Sequence, residues 1–320
     1  MPRRRHRQGD TPSVFEVGYT VKKLLLSNLA LFIVPSLIWG STWYVIKFQL
    51  GTVDPIVSVC YRFAIAGLVM LVFCRLSGLN LRFTRKDHLF IALQGCSLFG
   101  INYWLVYWAE QSLVSGLVAI VFSCIVFLNI FFSGVLLRMP FRKRVFAGAV
   151  CGVGGTALIY RSELSSFTLE GSQLAALGAC LVAVVLASLG NILSARNQRQ
   201  GLPVIQTNAL GMTYGAVAML LFAVLTGREF VFDTGLAYVG SLMYLSVFGS
   251  IIAFGTYLKL LGNIGPDRAA YAVLVIPIIA LIMSSLFEGF VWTGSALLGI
   301  AMILVGNIVA LKSKEPPERA

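Results

Sequence analysis

The sequence predicts an all-α polytopic membrane protein, with ten transmembrane helices arranged as two inverted five-helix repeats around a central cavity. Two observations carry this prediction: the composition, and a self-similarity between the two halves of the chain. Of the 320 residues, 58% are hydrophobic and only 12% are charged, whereas a soluble domain carries roughly 25% charged residues. Because a soluble protein of this length still needs a polar shell, the composition excludes a soluble enzyme.

Ten apolar stretches are long enough to be membrane spans. A hydrocarbon core about 30 Å thick requires about 20 apolar residues per helix, and stretches of that order are bounded by charged residues, Gly, Pro or Asn. The predicted spans are residues 29–48, 57–76, 89–108, 113–137, 145–159, 173–193, 210–225, 235–257, 270–287 and 296–311. The connections between them are too short to hold a water-soluble catalytic domain.

The spans divide the chain into four parts. These are a basic N-terminal tail at 1–28, a first five-helix repeat at 29–160, a second at 172–311, and a C-terminal tail at 312–320. A run of arginines ahead of an apolar stretch is also a feature of signal peptides. Here the apolar run is too long and lacks a cleavage site of small residues, so we expect it to be retained as the first span.

The lysines and arginines predict the orientation of the chain. The side that holds both tails carries 21 of the 25, whereas Lys47, Arg161 and Arg228 lie on the other side and Arg62 lies within the second span. The positive-inside rule places both termini in the cytoplasm, with the protein in the cell (inner) membrane. The net charge of +12 is therefore an orientation signal, and we expect the lipid bilayer and a small-molecule substrate as partners, with no nucleic acid.

The sequence carries no motif for a cofactor or a metal. All six cysteines fall in apolar runs without CxxC pairing or nearby histidines, and we interpret them as core or lipid-facing residues. The glycines from Gly152 to Gly155 are not a phosphate loop, because no Lys-Ser/Thr follows and no strand precedes them. We expect no cofactor, no metal site and no catalytic residue.

A shift of about 150 residues relates the two halves. It brings Phe99-Gly100 onto Phe248-Gly249, and Gly116 onto Gly265. Because five is an odd number, the second repeat would enter the membrane from the opposite side. Inverted repeats of this kind are a transporter architecture, in which the substrate site lies near the midplane between the two halves. The alternative is the chance similarity that apolar sequences have at any offset.

Several short motifs resemble one membrane-protein family. They are Leu37-Ile38-Trp39-Gly40-Ser41-Thr42, Asp54-Pro55, Arg62-Phe63, Ser115-Gly116, Pro277, Glu288, Gly299 and Gly306. In their order and spacing they resemble the EamA-type proteins of the drug/metabolite transporter superfamily, over residues 29–311. The fourth span departs from the family pattern, with Asn129 and Arg138-Met139-Pro140 where the family usually has a Pro and a Gly-Glu-Arg. The resemblance implies ten helices around a central cavity and export of small metabolites such as amino acids.

Arg62 is the one arginine clearly within a predicted span. A charge in a membrane helix is costly and is a functional hypothesis by default. Two roles are open: the guanidinium binds a carboxylate in the transport pathway, or it snorkels outward and braces the helix.

Polar and aromatic side chains in the spans are candidates for the cavity wall, because they stack against an amphipathic solute while donating hydrogen bonds. The alternatives are interhelical hydrogen bonds and an aromatic belt at the membrane surface, which we expect for Tyr107 and Trp108. The candidate substrate-binding residues are Trp39, Tyr44, Arg62, Gln94, Asn102, Tyr103, Ser123, Asn191, Tyr214 and Tyr257.

Glycines mark the fifth and tenth spans. Gly148 and Gly155, with the shifted mates Gly299 and Gly306, allow close helix approach. We interpret these helices as packing elements, and a homodimer contact is the second role open to them.

The predicted function is secondary transport, namely export of amino acids or related, including aromatic, solutes. The first alternative is a carrier of larger anionic solutes such as nucleotide sugars, which a cluster of Lys and Arg at mid-depth would favour. The second is a membrane enzyme or a non-transporting sensor, but His6 and His88 lie outside or at the edge of the spans. Glu110, Glu288 and Lys259 lie at span ends, and no Asp or Glu lies at mid-depth in a predicted span. Either transport is facilitated, or its ion coupling uses a group at a helix end that the sequence does not identify.

Overall fold

The computed structural model describes residues 14–166, 171–287 and 292–312. Within these ranges all regular secondary structure is helical, as the predicted all-α class requires. The tail residues 1–13 and 313–320, and Glu288, lie outside the described residues. The first helix begins at Val14, so part of the predicted N-terminal tail is helical.

The first half of the chain contains eight α-helices. They are α1 Val14–Ile46, α2 Pro55–Leu76, α3 Arg85–Gly95, α4 Asn102–Ala109, α5 Ser115–Ser123, α6 Ile125–Leu137, α7 Lys143–Ile159 and α8 Arg161–Ser166. A 3₁₀ segment, Lys47–Gln49, follows α1, and a π-helical segment, Cys96–Ile101, joins α3 to α4. The start of α2 is fixed by its sequence: the Asp54 carboxylate accepts a hydrogen bond from the Ile56 N–H, and proline is the first helical residue, as helix N-termini favour.

The second half repeats this order of long helices. Its helices are α9 Gly171–Arg199, α10 Val204–Leu225, α11 Leu236–Tyr244, α12 Ala253–Ile264, α13 Pro266–Ala269, α14 Tyr271–Phe287 and α15 Gly294–Leu311. A second π-helical segment, Leu245–Ile252, joins α11 to α12. The shift of about 150 residues that relates the two halves brings the first π-helical segment onto this second one. Hydropathy predicts neither segment, because it does not register a change in hydrogen-bond spacing, and such segments frequently mark functional sites.

Nine helices within the described residues are long and apolar enough to cross a membrane, and they coincide with nine of the ten predicted spans. The predicted fifth span, residues 145–159, corresponds to α7, which is not among the nine. With 17 residues it rises about 26 Å and is one residue shorter than the shortest of the nine. The protein is thus an all-helical polytopic membrane protein, and a tenth span stays a prediction.

The predicted seventh span starts too late. It was placed at residues 210–225, whereas α10 begins at Val204. The missed start of α10 contains Gln206, Thr207 and Asn208. Because these residues have low hydropathy, a search for apolar stretches excludes them from the span. All three are nevertheless buried, with exposed fractions of 9%, 2% and 0%, because neighbouring helices cover them.

Glycines bring α7 and α15 into backbone contact. A Cβ on Gly155 would lie 2.5 Å from the Gly299 carbonyl oxygen, and a Cβ on Gly148 would lie 2.5 Å from the Gly306 oxygen. The converse contacts, from Gly299 to Gly155 and from Gly306 to Gly148, are equally close. Of the two roles predicted for these glycines, the structure therefore shows packing within one chain.

The connections between helices gather at two ends of the bundle. We call one end the basic face; there Arg142, ahead of α7, forms an ion pair with Asp267 of α13 at 3.1 Å. The other, the opposite face, joins the start of α2 to the α10–α11 connection through an ion pair of 3.3 Å between Asp54 and Arg228. The core lies between these faces, where helices of both halves meet.

Candidate substrate cavity

A cavity of about 90 Å³ lies among helices of both halves. Its walls come from α1, α4, α5 and α6 of the first half and from α9, α12 and α14 of the second, with Leu98 from the first π-helical segment. Its aromatic and polar lining residues are Trp39, Thr42, Trp43, Asn102, Tyr103, Phe122, Asn191, Phe254 and Tyr257. The remaining lining is aliphatic, so the cavity suits a small solute with an apolar or aromatic part.

Aromatic rings form one wall of the cavity. Trp39 makes edge contacts with Phe254 and Tyr257, at centroid distances of 4.9 and 5.1 Å. Its indole N–H donates to the Gly249 carbonyl oxygen at 3.1 Å. Because Gly249 belongs to the second π-helical segment, this bond ties α1 of the first half to the second half.

Two asparagines that line the cavity have unpaired side-chain oxygens. The Asn191 amide N–H donates to the Tyr257 hydroxyl at 3.2 Å, and the Asn102 amide N–H donates to the Leu98 carbonyl oxygen at 3.5 Å. The side-chain oxygens of both asparagines are buried and have no hydrogen-bond partner. An unsatisfied buried acceptor costs about 1–3 kcal/mol, so a solute that donates hydrogen bonds would be favoured here.

Polar contacts close the bundle between the cavity and the basic face. The Ser188 hydroxyl donates to the Asn129 side-chain oxygen at 2.7 Å, and the Asn129 amide donates to the Pro266 carbonyl oxygen at 3.0 Å. These bonds join α6, α9 and α13. Nearer the cavity, Tyr257 is only 2% exposed, whereas Trp43 and Phe122 at the other end are half-buried.

Arg62 lies behind the Tyr103 wall of the cavity. Its side chain is 1% exposed, and its guanidinium carbon lies 4.5 Å from the centroid of the Tyr103 ring. Nε donates to the Ser250 hydroxyl at 3.0 Å, and Nη1 donates to the Tyr107 hydroxyl at 3.3 Å. No carboxylate of the described residues lies within ion-pair distance of Arg62. The side chain therefore points into the bundle and does not snorkel to the surface.

Five of the ten predicted site residues line the cavity, and these are Trp39, Asn102, Tyr103, Asn191 and Tyr257. Arg62 borders the cavity through Tyr103. Four helices contribute to this group, namely α1, α4, α9 and α12. Whether these residues bind a substrate stays a prediction.

Gln94 and Tyr214 lie away from the cavity. The Gln94 side-chain oxygen accepts a hydrogen bond from Asn197 at 3.0 Å, and the Tyr214 hydroxyl shares one of 2.7 Å with Nδ1 of His88. Both are interhelical hydrogen bonds, the alternative that the sequence left open. Neither residue lines this cavity, and their assignment to the substrate pathway stays a prediction.

Ser123 and Tyr44 also lie outside the cavity lining. The Ser123 hydroxyl donates to the Ile120 carbonyl oxygen at 2.6 Å within its own helical turn. The Tyr44 ring makes an edge contact with Phe48 at 5.5 Å. Their assignment to the substrate pathway likewise stays a prediction.

Of the two residues at the end of α4 that were predicted to form an aromatic belt, Trp108 lies at the surface and Tyr107 does not. Trp108 is 40% exposed, as a surface position requires, whereas Tyr107 is fully buried and bonded to Arg62. The helical spacing of Tyr103 and Tyr107 was the better indicator for Tyr107, because residues four apart share one face of a helix.

Four aromatic or polar lining residues are absent from the ten predicted site residues, and these are Thr42, Trp43, Phe122 and Phe254. Helical spacing carried a signal for three of them. Thr42 and Trp43 follow Trp39 by three and four residues and Phe254 precedes Tyr257 by three, so each shares a face with a predicted site residue. Phe122 had no such signal.

No group of three His, Cys, Asp or Glu residues capable of holding a metal occurs in the described part of the chain. The groups around the cavity offer aromatic stacking, acceptance of hydrogen bonds by two amides, and the positive charge of Arg62.

Two of the three curated relatives described next are named as transporters. An uncharacterized inner membrane transporter, YedA, of Escherichia coli K12 is 27% identical over 84% of this chain and 87% of the relative. An uncharacterized transporter, YvbV, of Bacillus subtilis is 25% identical over 89% of this chain and 91% of its own length. Protein PagO of Salmonella typhimurium is 22% identical over 90% of this chain and 93% of its own.

The fold also has a solved counterpart, a crystal structure with a TM-score of 0.74 and 19% sequence identity, covering 90% of this chain and 99% of that one. This likeness concerns the fold alone. The family itself is shown by sequence, since residues 26–161 and 174–312 both match the EamA-like transporter family. With transporter relatives along most of its length and a cavity between its two halves, the chain is a membrane transporter that belongs to the EamA-like transporter family.

Proposed function

We propose that this protein is a secondary transporter of the inner membrane that exports amino acids or related, including aromatic, solutes by alternating access. In this proposal α7 completes ten helices, which form two inverted five-helix repeats with both termini in the cytoplasm. The recurrence of helix order, the equivalent π-helical segments and the reciprocal glycine contacts between α7 and α15 support the repeat. The loop charges support the orientation.

The observation that carries the substrate class is the combination of groups around the cavity. Rings of Trp39, Tyr103 and Phe254 accept an apolar or aromatic side chain. The unpaired oxygens of Asn102 and Asn191 accept hydrogen bonds from an ammonium group. Arg62, a buried cation without a carboxylate partner among the described residues, attracts a solute carboxylate through the electrostatic field across the Tyr103 ring.

Size and charge argue against the larger anionic solutes. The cavity volume of about 90 Å³ is well below the roughly 300–1,000 Å³ of clefts that hold drug-sized ligands. A doubly charged nucleotide group would also need several cations, and Arg62 alone borders this cavity. A small zwitterion fits both limits better.

Counterflow in liposomes tests the proposal. Purified protein is reconstituted into liposomes loaded with one unlabelled amino acid, and the entry of the same labelled amino acid is measured for a panel of all common amino acids and a nucleotide sugar. We expect saturable entry for at least one amino acid, strongest among the large apolar and aromatic ones. Tyr103→Ala should reduce this entry, whereas the matched control Tyr214→Ala, on a helix away from the cavity, should not. Entry of the nucleotide sugar alone would contradict the substrate class.

A further inference from the structure

A single carboxyl group continues the cavity-lining stripe of α4. Asn102 and Val106 line the cavity, and Glu110 follows Val106 by four residues, with its backbone N–H bonded to the Val106 carbonyl oxygen at 2.9 Å. Residues four apart lie one above the other on a helix, about 5–6 Å apart. Glu110 therefore lies one turn beyond the cavity, toward the opposite face.

The surroundings of Glu110 are mostly apolar. Ala109 and Leu113, which flank it in the chain, belong to a buried cluster with Ala176 and Cys180 of α9. Its Oε1 atom is shielded from solvent and has no hydrogen-bond partner. A carboxylate oxygen that is neither hydrated nor bonded is unfavourable, whereas a protonated carboxyl tolerates such a place much better.

Four ionisable groups act on this carboxyl or its neighbours. Lys47, in the 3₁₀ segment after α1, lowers the pKa of Glu110, and the Glu110 charge in turn acts on Tyr107 of its own helix and on Cys180 of α9. Arg62 of α2 reaches the same region through the Tyr107 hydroxyl. Burial outweighs the effect of Lys47 and raises the pKa of Glu110 to about 8.

We propose that Glu110 is the coupling site of the transporter, at which a proton and the ammonium group of the solute compete, so that the protein exchanges one proton for one solute. This inference rests on the proposed function. Arg62 then lies behind one wall of the cavity and ionised Glu110 lies one turn beyond its end, so that a zwitterion is attracted by a charge at each place. On the cytoplasmic side the solute displaces the proton from Glu110. On the outer side the proton returns to the carboxylate and the solute leaves.

The sign of the coupling follows from the charge balance. Ionised Glu110 attracts an ammonium group, whereas protonated Glu110 does not, so each bound proton weakens solute binding. Linkage requires that bound solute weakens proton binding by the same factor. A higher proton concentration outside therefore drives the solute outward, as an exporter requires.

Proton movement in liposomes tests this inference. Vesicles containing the reconstituted protein and a trapped pH-sensitive dye receive an amino acid that the counterflow measurement has identified as transported. In the wild type we expect solute entry to release internal protons outward, and an imposed pH gradient to accumulate the solute. Glu110→Gln, which mimics the protonated carboxyl, should weaken counterflow, and the counterflow that remains should show neither the proton signal nor the accumulation. The matched control Glu229→Gln, at an exposed loop position, should behave as the wild type.

The outcomes separate the two proposals. Absence of counterflow for every amino acid in the wild type overturns the proposed function. Counterflow without proton movement in the wild type, or a Glu110→Gln protein that still accumulates solute along a pH gradient, overturns the coupling site alone. If Glu110→Gln does not fold, the wild type decides: its apparent affinity for the solute must fall about tenfold per pH unit below that pKa, because one proton competes for one site. A pH-independent affinity contradicts the inference.

Discussion

Arg62→Met removes the positive charge beside the cavity and keeps an apolar side chain in its place. The guanidinium carbon is 4.5 Å from the centroid of the Tyr103 ring, and Tyr103 lines the cavity whereas Arg62 does not. Adding a van der Waals contact of about 3.5 Å puts a solute carboxylate roughly 8 Å from the charge. At an effective dielectric constant of about 20 the attraction is about 2 kcal/mol, which corresponds to about 30-fold in affinity.

Competition measurements isolate this contribution. Labelled amino acid enters by counterflow while either the unlabelled amino acid or its amide, which lacks the carboxylate, competes. The wild type should prefer the amino acid, and Arg62→Met should reduce that preference about 30-fold, as the calculated attraction of about 2 kcal/mol requires. Arg62→Lys keeps the charge and should retain most of the preference for the amino acid over its amide.

Two results would refute this reasoning. If Arg62→Met left the preference unchanged, the charge would play no part in recognition. If Arg62→Lys lost as much as Arg62→Met, the hydrogen bonds of the guanidinium to Ser250 and Tyr107 would matter and its electrostatic field would not. The free energy of unfolding of both variants, measured in detergent, would then show whether Arg62 stabilises the packing of α2 against the second π-helical segment.

Two further predictions concern the packing that surrounds the cavity. Gly155→Ala places a Cβ 2.5 Å from the Gly299 oxygen and should lower the free energy of unfolding in detergent by about 1–3 kcal/mol. The control Gly178→Ala, with no atom within 4 Å of its Cβ, should not lower it. Equal losses in the two variants would contradict the close contact. Arg142→Ala breaks an ion pair whose side chains are 9% and 7% exposed and should lower the free energy of unfolding by about 3–5 kcal/mol. Arg228→Ala breaks an exposed pair and should lower it by about 0–1 kcal/mol. The reverse order would show that the basic face is not closed as described.

The sequence predicted most of the spans because apolar length is a property of each helix by itself. Nine of the ten spans have helical counterparts, and the errors lie where a neighbour changes the environment. The start of α10 was missed because Asn208 and its neighbours are covered by other helices. Tyr214 and Gln94 were predicted to line the cavity, but which helix a polar side chain faces depends on packing that one sequence does not express. Glu110 was recognised only as a group at a span end, since its unpaired oxygen becomes visible only with α9 in place.

Accessibility of the cavity wall from both sides of the membrane tests the account most directly. Thr42 lines the cavity, and Thr42→Cys is placed in a chain whose six native cysteines are replaced by alanine. A membrane-impermeant thiol reagent is applied to vesicles of either orientation, with and without transported solute. We predict labelling from both sides and protection by the solute, whereas Ser77→Cys, at the end of α2, is labelled from one side without protection. Labelling of Thr42→Cys from a single side, or no protection by solute, would contradict alternating access through this cavity.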